Sequence, residues 1–228
     1  MSSGSLRWSV ELPERGSRSA GMGTVRPCAS LSISSPTHGD ERLSLPVVVG
    51  RKLDALAQEA FEPSCRAELL HKVGELSRQC AHARMEDLVG RRDYSAVELA
   101  ERLSLDGYAR TVVDEVVSRA REVGIVDDAR YGAAFARSKT LSGWGRIKVE
   151  RELARRGVDV GDIPGWPEEF FSAEEERERA LTLASRRRLT GKNDYQKLVR
   201  FLGARGFSAS TSASVAREVL ASSGDRSW

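Results

Sequence analysis

Aromatic residues make up only 6% of these 228 positions, and His and Cys occur three times each. That scarcity removes most ways of building a catalytic or metal centre. The histidines stand at 38, 71 and 82, and the cysteines at 28, 65 and 80. Everything beyond position 82 therefore lacks both a thiol nucleophile and an imidazole base. An odd number of widely spaced cysteines argues against a disulfide framework and suits a reducing cytosol. Cys65, His71, Cys80 and His82 match no paired zinc knuckle, so no metal and no cofactor is expected. The longest largely apolar run, 43–50, is too short to span a bilayer. No basic start precedes an apolar segment, so the expectation is a cytoplasmic protein that does not engage a membrane. Charge of one sign is lacking too: 36 basic residues face 33 acidic ones, for a formal +3. Net charge alone marks no nucleic-acid binder; only its distribution can. No segment alternates with period two over a useful length, and only Val47-Val48-Val49 looks strand-like. Thr190-Gly191-Lys192-Asn193 has neither the upstream glycine nor the following hydroxyl of a phosphate loop.

What the chain does have is a pattern repeated about every fifty residues. Gly107-Tyr108, Gly157-Val158 and Gly206-Phe207 each pair a glycine with a large apolar residue. Leu103, Leu153 and Leu202 stand four positions earlier, and Leu99, Val149 and Leu198 eight earlier. Ser95, Gly145 and Asp194, twelve earlier, are helix-starting residues. Apolar residues at i and i+4 line one helix face, and a glycine just past the end supplies a left-handed cap. A period of this size marks a repeat architecture, in which each unit leans on its neighbour to bury its apolar face. The fold class expected is all-α, a tandem array of three-helix, helix-turn-helix-like repeats forming an elongated, curved module.

The expected organisation is a disordered tail over 1–45, rich in Ser, Gly, Pro and Arg, or else a start assigned too far upstream. A helical extension over 46–80 follows, with helices near 51–62 and 65–80. Three repeats span 81–124, 125–172 and 173–222, and a flexible C-terminus covers 223–228. Repeat one places helices at 82–91, 96–105 and 110–123, with Ser95 and Glu98 as a capping box. Repeat two opens at the helix-starting pair Asp127-Asp128, with helices at 128–140 and 146–155. Its third helix is cut to about a turn by Pro164-Gly165-Trp166-Pro167. Repeat three has helices near 174–189, 194–204 and 209–220.

Several runs resemble the regulatory protein RecX family. Arg91-Arg92-Asp93-Tyr94-Ser95-Ala96-Val97-Glu98-Leu99, followed by Arg102-Leu103 and Gly107-Tyr108, is similar to that family's opening. Gly124-Ile125-Val126-Asp127-Asp128 through Tyr131 and Phe135 resembles its next block. Gly143-Trp144-Gly145-Arg146 with Glu152-Leu153 and Gly157-Val158 resembles a third. The likeness covers roughly 82–220. It implies tandem three-helix repeats and a non-enzymatic modulator of the RecA recombinase. Such a protein binds along the RecA–DNA filament and damps ATP hydrolysis, strand exchange and co-protease activity, tied to DNA repair and the SOS response.

The repeats differ in charge at equivalent positions. Repeat one has Glu98, Glu101 and Asp106 where repeat two has Lys148, Arg151 and Arg156 and repeat three has Lys197, Arg200 and Arg205. Between 137 and 157 seven basic residues face two acidic ones, and Arg186-Arg187-Arg188 with Lys192 extends the positive stretch. The candidate partner-binding or nucleic-acid-binding residues are Arg137, Lys139, Arg146, Lys148, Arg151, Arg155, Arg156, Arg187, Lys197, Arg200 and Arg205. Clustered cations of this kind form the electrostatic footprint of a phosphate or acidic-groove binder, although each alone reads as an ordinary solvated charge. Trp144 and Tyr94, one before the helix cap, read as staples packing onto the helix, with Trp144 alternatively a partner anchor. Trp166 is expected to be wedged between repeats. The partners expected are the RecA filament and, in its context, single-stranded or duplex DNA, met by a monomer. The rival reading is a helix-turn-helix module that binds DNA without RecA, using 146–156 and 194–205 as groove readers.

Overall fold

Short amphipathic segments closed by glycine turns build most of this chain, and nine α-helices form among the described residues. A computed structural model describes residues 6–14, 27–35 and 38–224. It divides into two units, one ending at Val126 and one beginning at Asp127.

The first unit corrects the expected structureless tail. Three strands, β1 (Arg7–Glu11), β2 (Cys28–Ser35) and β3 (Gly39–Pro46), form an antiparallel meander in the order β1-β2-β3. Register places Val10 opposite Leu31 and Leu31 opposite Leu43, so one face is apolar. Ala29, Leu31 and Ile33 alternate with serines along β2 and are buried. That alternation is short and diluted by Ser, so it carries little weight until partner strands bury one side. The remainder of the expected tail (1–5, 15–26 and 36–37) lies outside the described residues, as does 225–228 of the expected flexible C-terminus.

The valine run is a second correction. Pro46 ends β3, and Val47 opens α1 (Val47–Gln58), which packs Val49 and Leu53 into the core shared with Leu31 and Ile33. Helix α2 (Arg66–Val89) is one continuous helix of 24 residues rather than two. Its buried stripe of Leu69, Val73, Leu76, Cys80, Met85 and Leu88 runs through the expected break with no proline to interrupt it. Helices α3 (Ala96–Leu105) and α4 (Arg110–Glu122) complete the first brick. Ser95 caps α3 by accepting the Glu98 amide at 3.1 Å.

The second unit holds α5 (Asp128–Leu141), α6 (Arg146–Arg155), α7 (Ala173–Ser185), α8 (Asp194–Arg205) and α9 (Ala209–Gly224). Asp127 caps α5 through the Arg130 amide at 2.9 Å. A single 3-10 turn at Val160–Asp162 stands where repeat two would have its third helix. Trp166 packs its ring 5.6 Å from Phe170 and 5.3 Å from Phe171, so aromatic bulk replaces helical packing there. Two cores result, one around Val149, Leu153, Phe170 and Phe171, the other around Leu198, Leu202, Phe207 and Val215. Leu153→Ala removes a fully buried side chain from the first of these cores. It is expected to lower unfolding free energy by about 3 kcal/mol in chemical denaturation.

Candidate functional site

Every cation singled out from the sequence lies in the second unit. What holds those cations in place starts with three copies of one turn. Gly107, Gly157 and Gly206 take φ of +91°, +68° and +91°. Tyr108, Val158 and Phe207 donate their amides back to Leu103, Leu153 and Leu202 at 3.3, 3.0 and 3.2 Å. A left-handed residue followed by a six-to-one bond closes each helix and buries the apolar residue after it.

In the second unit this turn also performs a docking function. Helix α6 begins against the end of α8: Gly145 donates to the Arg205 carbonyl at 2.9 Å and Ile147 to the Gly206 carbonyl at 3.1 Å. Arg146 donates its amide to Glu176 Oε1 at 2.8 Å. Amides that a helix start leaves without intrahelical partners are thus satisfied by carbonyls that a helix end leaves over. A Cβ on Gly145 would lie 2.5 Å from the Gly206 carbonyl, so the two backbones meet directly. The relation between α6 and α8 is therefore fixed, and with it the placing of their charged faces.

On α6, Val149 and Leu153 face the core, while Lys148, Arg151 and Arg155 follow one another at spacings of three and four on the outer side. Arg151 and Arg155 are exposed and Lys148 is half-buried; on α8, Lys197 and Arg200 are exposed. Several of the candidate cations are occupied within the chain. Arg146 pairs with Glu150 at 2.7 Å and Arg155 with Glu152 at 3.2 Å. Arg156 also binds Glu152, and its hydrogen bonds hold the Glu152 carboxyl below the usual carboxylate range. Lys197 is held by the Thr190 hydroxyl at 2.5 Å and Asp194 at 3.4 Å. Arg200 reaches the Gln196 carbonyl at 3.3 Å. Among the described residues, no carboxylate lies within ion-pairing distance of Arg137, Lys139, Lys148, Arg151, Arg187, Arg200 or Arg205.

Aromatic rings collect several of these cations. Lys148 Nζ sits 4.1 Å from the Trp144 ring centre and Lys139 Nζ 5.2 Å. Lys139 and Arg156 both lie over Phe135, at 5.2 and 4.8 Å. Arg187 and Arg205 meet over Phe201 at 4.7 and 5.3 Å, and Arg137 lies over Phe170 at 5.3 Å. Sequence reading missed Phe135 and Phe201 as platforms, although the signal was present: a ring at i and a cation at i+4 recur at Phe135–Lys139, Trp144–Lys148 and Phe201–Arg205. Repeat one is built otherwise. Tyr94 carries Arg92 at 3.6 Å, Glu98 binds Arg92 at 3.1 Å, and Asp106 binds Arg84 at 2.7 Å.

Asp194 does more than start a helix. It is a buried carboxylate that accepts the Gly191 and Thr190 amides at 2.6 and 2.9 Å and the Thr190 hydroxyl at 2.9 Å. Burial alone pushes its pKa up, but these hydrogen bonds outweigh that and leave it below its ordinary value. A depressed folded pKa contributes stability above the unfolded value, and that contribution is lost as pH falls through the folded one. Amide chemical shifts of Thr190 and Gly191 are therefore expected to titrate with a midpoint below 3.8. A midpoint at or above the ordinary Asp value would refute the assigned hydrogen bonds.

Among the described residues no group of three or more His, Cys, Asp or Glu could hold a metal ion. No described helix is long and apolar enough to cross a membrane.

Comparison with known proteins agrees with this architecture. The family profile described as RecX, second three-helix domain, matches residues 127–163. The Regulatory protein RecX of Pseudomonas entomophila (strain L48) is 35% identical over 77 residues, 34% of this chain and 50% of that protein. The match thus spans about half the length of that relative. The Regulatory protein RecX of Chromohalobacter salexigens is 32% identical over 130 residues, covering 53% of this chain and 80% of that protein. A solved regulatory protein RecX superposes with a TM-score of 0.58 at 18% identity, over 82% of this chain and 94% of that one. RecX from Lactobacillus salivarius gives 0.54 at 15% identity, over 63% and 96%. These structural likenesses concern the fold alone.

Proposed function

We propose, from the premise that this chain belongs to the regulatory protein RecX family, that it binds the RecA–DNA filament and inhibits or remodels it. In this reading it damps recombinase, ATPase and co-protease activity as a cytoplasmic monomer, without chemistry of its own and without a cofactor. The observation that carries the reading is the division of charge along otherwise alike bricks. Repeats two and three carry Lys148, half-buried, and Arg151 and Arg200, exposed, with no carboxylate within ion-pairing distance among the described residues; Glu152 acts on Lys148 only at longer range. Repeat one presents Glu98 and Glu101 at the equivalent places; Glu98 is bound to Arg92 and Glu101 is exposed. Uniform positive charge would suit tracking along naked DNA. A chain that carries acidic positions in one unit and basic positions in the other suits a partner that offers both protein and nucleic acid, as a coated filament does.

RecA's DNA-dependent ATPase, followed with this protein at well below one copy per RecA, tests the reading. Inhibition at such ratios supports action on filaments. Unchanged hydrolysis together with tight, salt-sensitive duplex binding supports instead a helix-turn-helix module that works without RecA.

A further inference from the structure

We propose that Trp144, Lys139 and Lys148 form a clamp for single-stranded nucleic acid, in which the two ammonium groups bind backbone phosphates and the indole packs against a base. The inference rests on the nucleic-acid half of the function proposed above and adds to it a site and a preference for single strands.

Local structure makes the clamp. Helix α5 ends at Leu141, and Gly143 turns the chain back at φ +77°. Trp144 then donates its amide to the Lys139 carbonyl at 2.9 Å. This six-to-one bond is the helix-ending motif in which the returning residue packs over the residue five before it. Here that packing sets the indole against the Lys139 stem, with its ammonium 5.2 Å from the ring centre. Trp144 also stands immediately before the start of α6, which places Lys148 on the same ring at 4.1 Å. Phe135 supports the indole edge-on at 6.3 Å. The start of α6 is itself anchored by the Arg205 and Gly206 carbonyls, so ring and cations rest on a fixed base.

Two like charges on one ring repel each other, and the negative face of the indole only partly compensates. The described carboxylates on and beside the start of α6 are each engaged elsewhere: Glu152 by Arg155 and Arg156, Glu150 by the Arg146 side chain and Glu176 by the Arg146 amide. Positive potential therefore remains, centred on a half-buried aromatic surface. A polyanion that also carries accessible flat faces satisfies both features, and single-stranded nucleic acid is that polyanion. A duplex supplies phosphates but keeps its bases stacked inside. An acidic protein patch supplies charge without a planar face.

Binding is measured on the full-length protein, without RecA, to three probes: oligo(dT) of about 12 nucleotides, a duplex of equal length, and inorganic polyphosphate. Trp144→Leu is expected to weaken oligo(dT) binding about tenfold while changing the other two less than about twofold; Trp144→Phe, which keeps a ring, retains most of the affinity. Lys139→Ala/Lys148→Ala is expected to weaken all three and to reduce the salt slope for oligo(dT) by about 1.4. Oligo(dT) affinity unchanged in Trp144→Leu, or loss in equal proportion for all three probes, overturns the clamp. So does an oligo(dT) affinity that the lysine pair does not alter. Thermal melts matching wild type confirm that each variant is folded. Trp144-dependent single-strand binding without any effect on RecA ATPase would sink the filament reading and leave the clamp standing. Inhibition of RecA by a protein whose oligo(dT) binding ignores Trp144 would do the reverse.

Discussion

Under the proposed function, replacing Lys148, Arg151, Lys197 and Arg200 together by Glu is expected to abolish inhibition of RecA's DNA-dependent ATPase. DNA affinity should fall by more than about a hundredfold at about 0.1 M salt. The reasoning begins with the helices. Lys148 and Arg151 share the outer side of α6, Lys197 and Arg200 are exposed on α8, and the Gly145–Gly206 contact fixes one helix against the other. Each phosphate that a cation neutralises releases condensed counterions, at about 0.7 units of salt slope on a single strand. Four lost contacts thus remove a slope of about 3, and four new negative charges add repulsion. Lys197 requires a control, since it already bonds Thr190 and Asp194. The triple variant Lys148→Glu/Arg151→Glu/Arg200→Glu leaves that network intact and is expected to lose most of the same affinity. Inhibition and DNA binding both unchanged in the triple variant would rule out the basic faces as the working surface.

Gly206→Val is expected to lower the stability of the second unit by about 3 kcal/mol or more, seen as a melting temperature about 10 °C lower. Two costs add. At φ +91° a side chain meets the left-handed penalty of about 1–2 kcal/mol. A Cβ there would also lie 2.3 Å from Lys148 Cβ and 2.5 Å from its backbone nitrogen, neither of which is the loose end of a chain. Relieving that collision requires pulling α6 off the end of α8, with loss of the Gly145 and Ile147 hydrogen bonds. Gly203→Ala is the internal control. Gly203 lies within α8 with nothing within 4 Å of an added Cβ, so the change should stabilise by about 0.5–1 kcal/mol. A Gly206→Val protein as stable as wild type would show that the α6–α8 junction does not form.

The helices that carry the candidate site were legible because their signals are local. Helix α3 runs from the residue after Ser95 to two residues before Gly107, and α6 from the residue after Gly145 to two residues before Gly157. Capping hydroxyls, apolar residues four apart and a closing glycine all act within about three turns of one another. The truncation of repeat two could likewise be read from Pro164 and Pro167. Strand β2 was not legible. Its Ala29, Leu31 and Ile33 alternate with serines, so the apolar set is small, and although its partner β3 follows directly, that face is buried only when β1 and α1 close on it. The division of α2 failed for a related reason, since the stripe from Leu69 to Leu88 is continuous only when judged by what it packs against.

The candidate cations divide along the same line. Pairings such as Arg146 with Glu150 and Arg156 with Glu152 join residues four apart on one helix. Phe135 with Lys139 and Trp144 with Lys148 share that spacing. Such contacts follow from helix pitch and were present in the letters of the chain. The Gly145–Gly206 contact joins residues with no local relation, and the Arg187–Phe201 stack depends on how α8 packs beside the end of α7. The chain's own letters thus determined the bricks, their caps and the sign of charge on each, because capping, periodicity and pitch operate over a few residues. Tertiary structure alone decided that a sheet joins the first brick, that α6 starts on the end of α8, and which cations keep an outward charge. Each of those depends on which distant backbone or carboxylate arrives alongside.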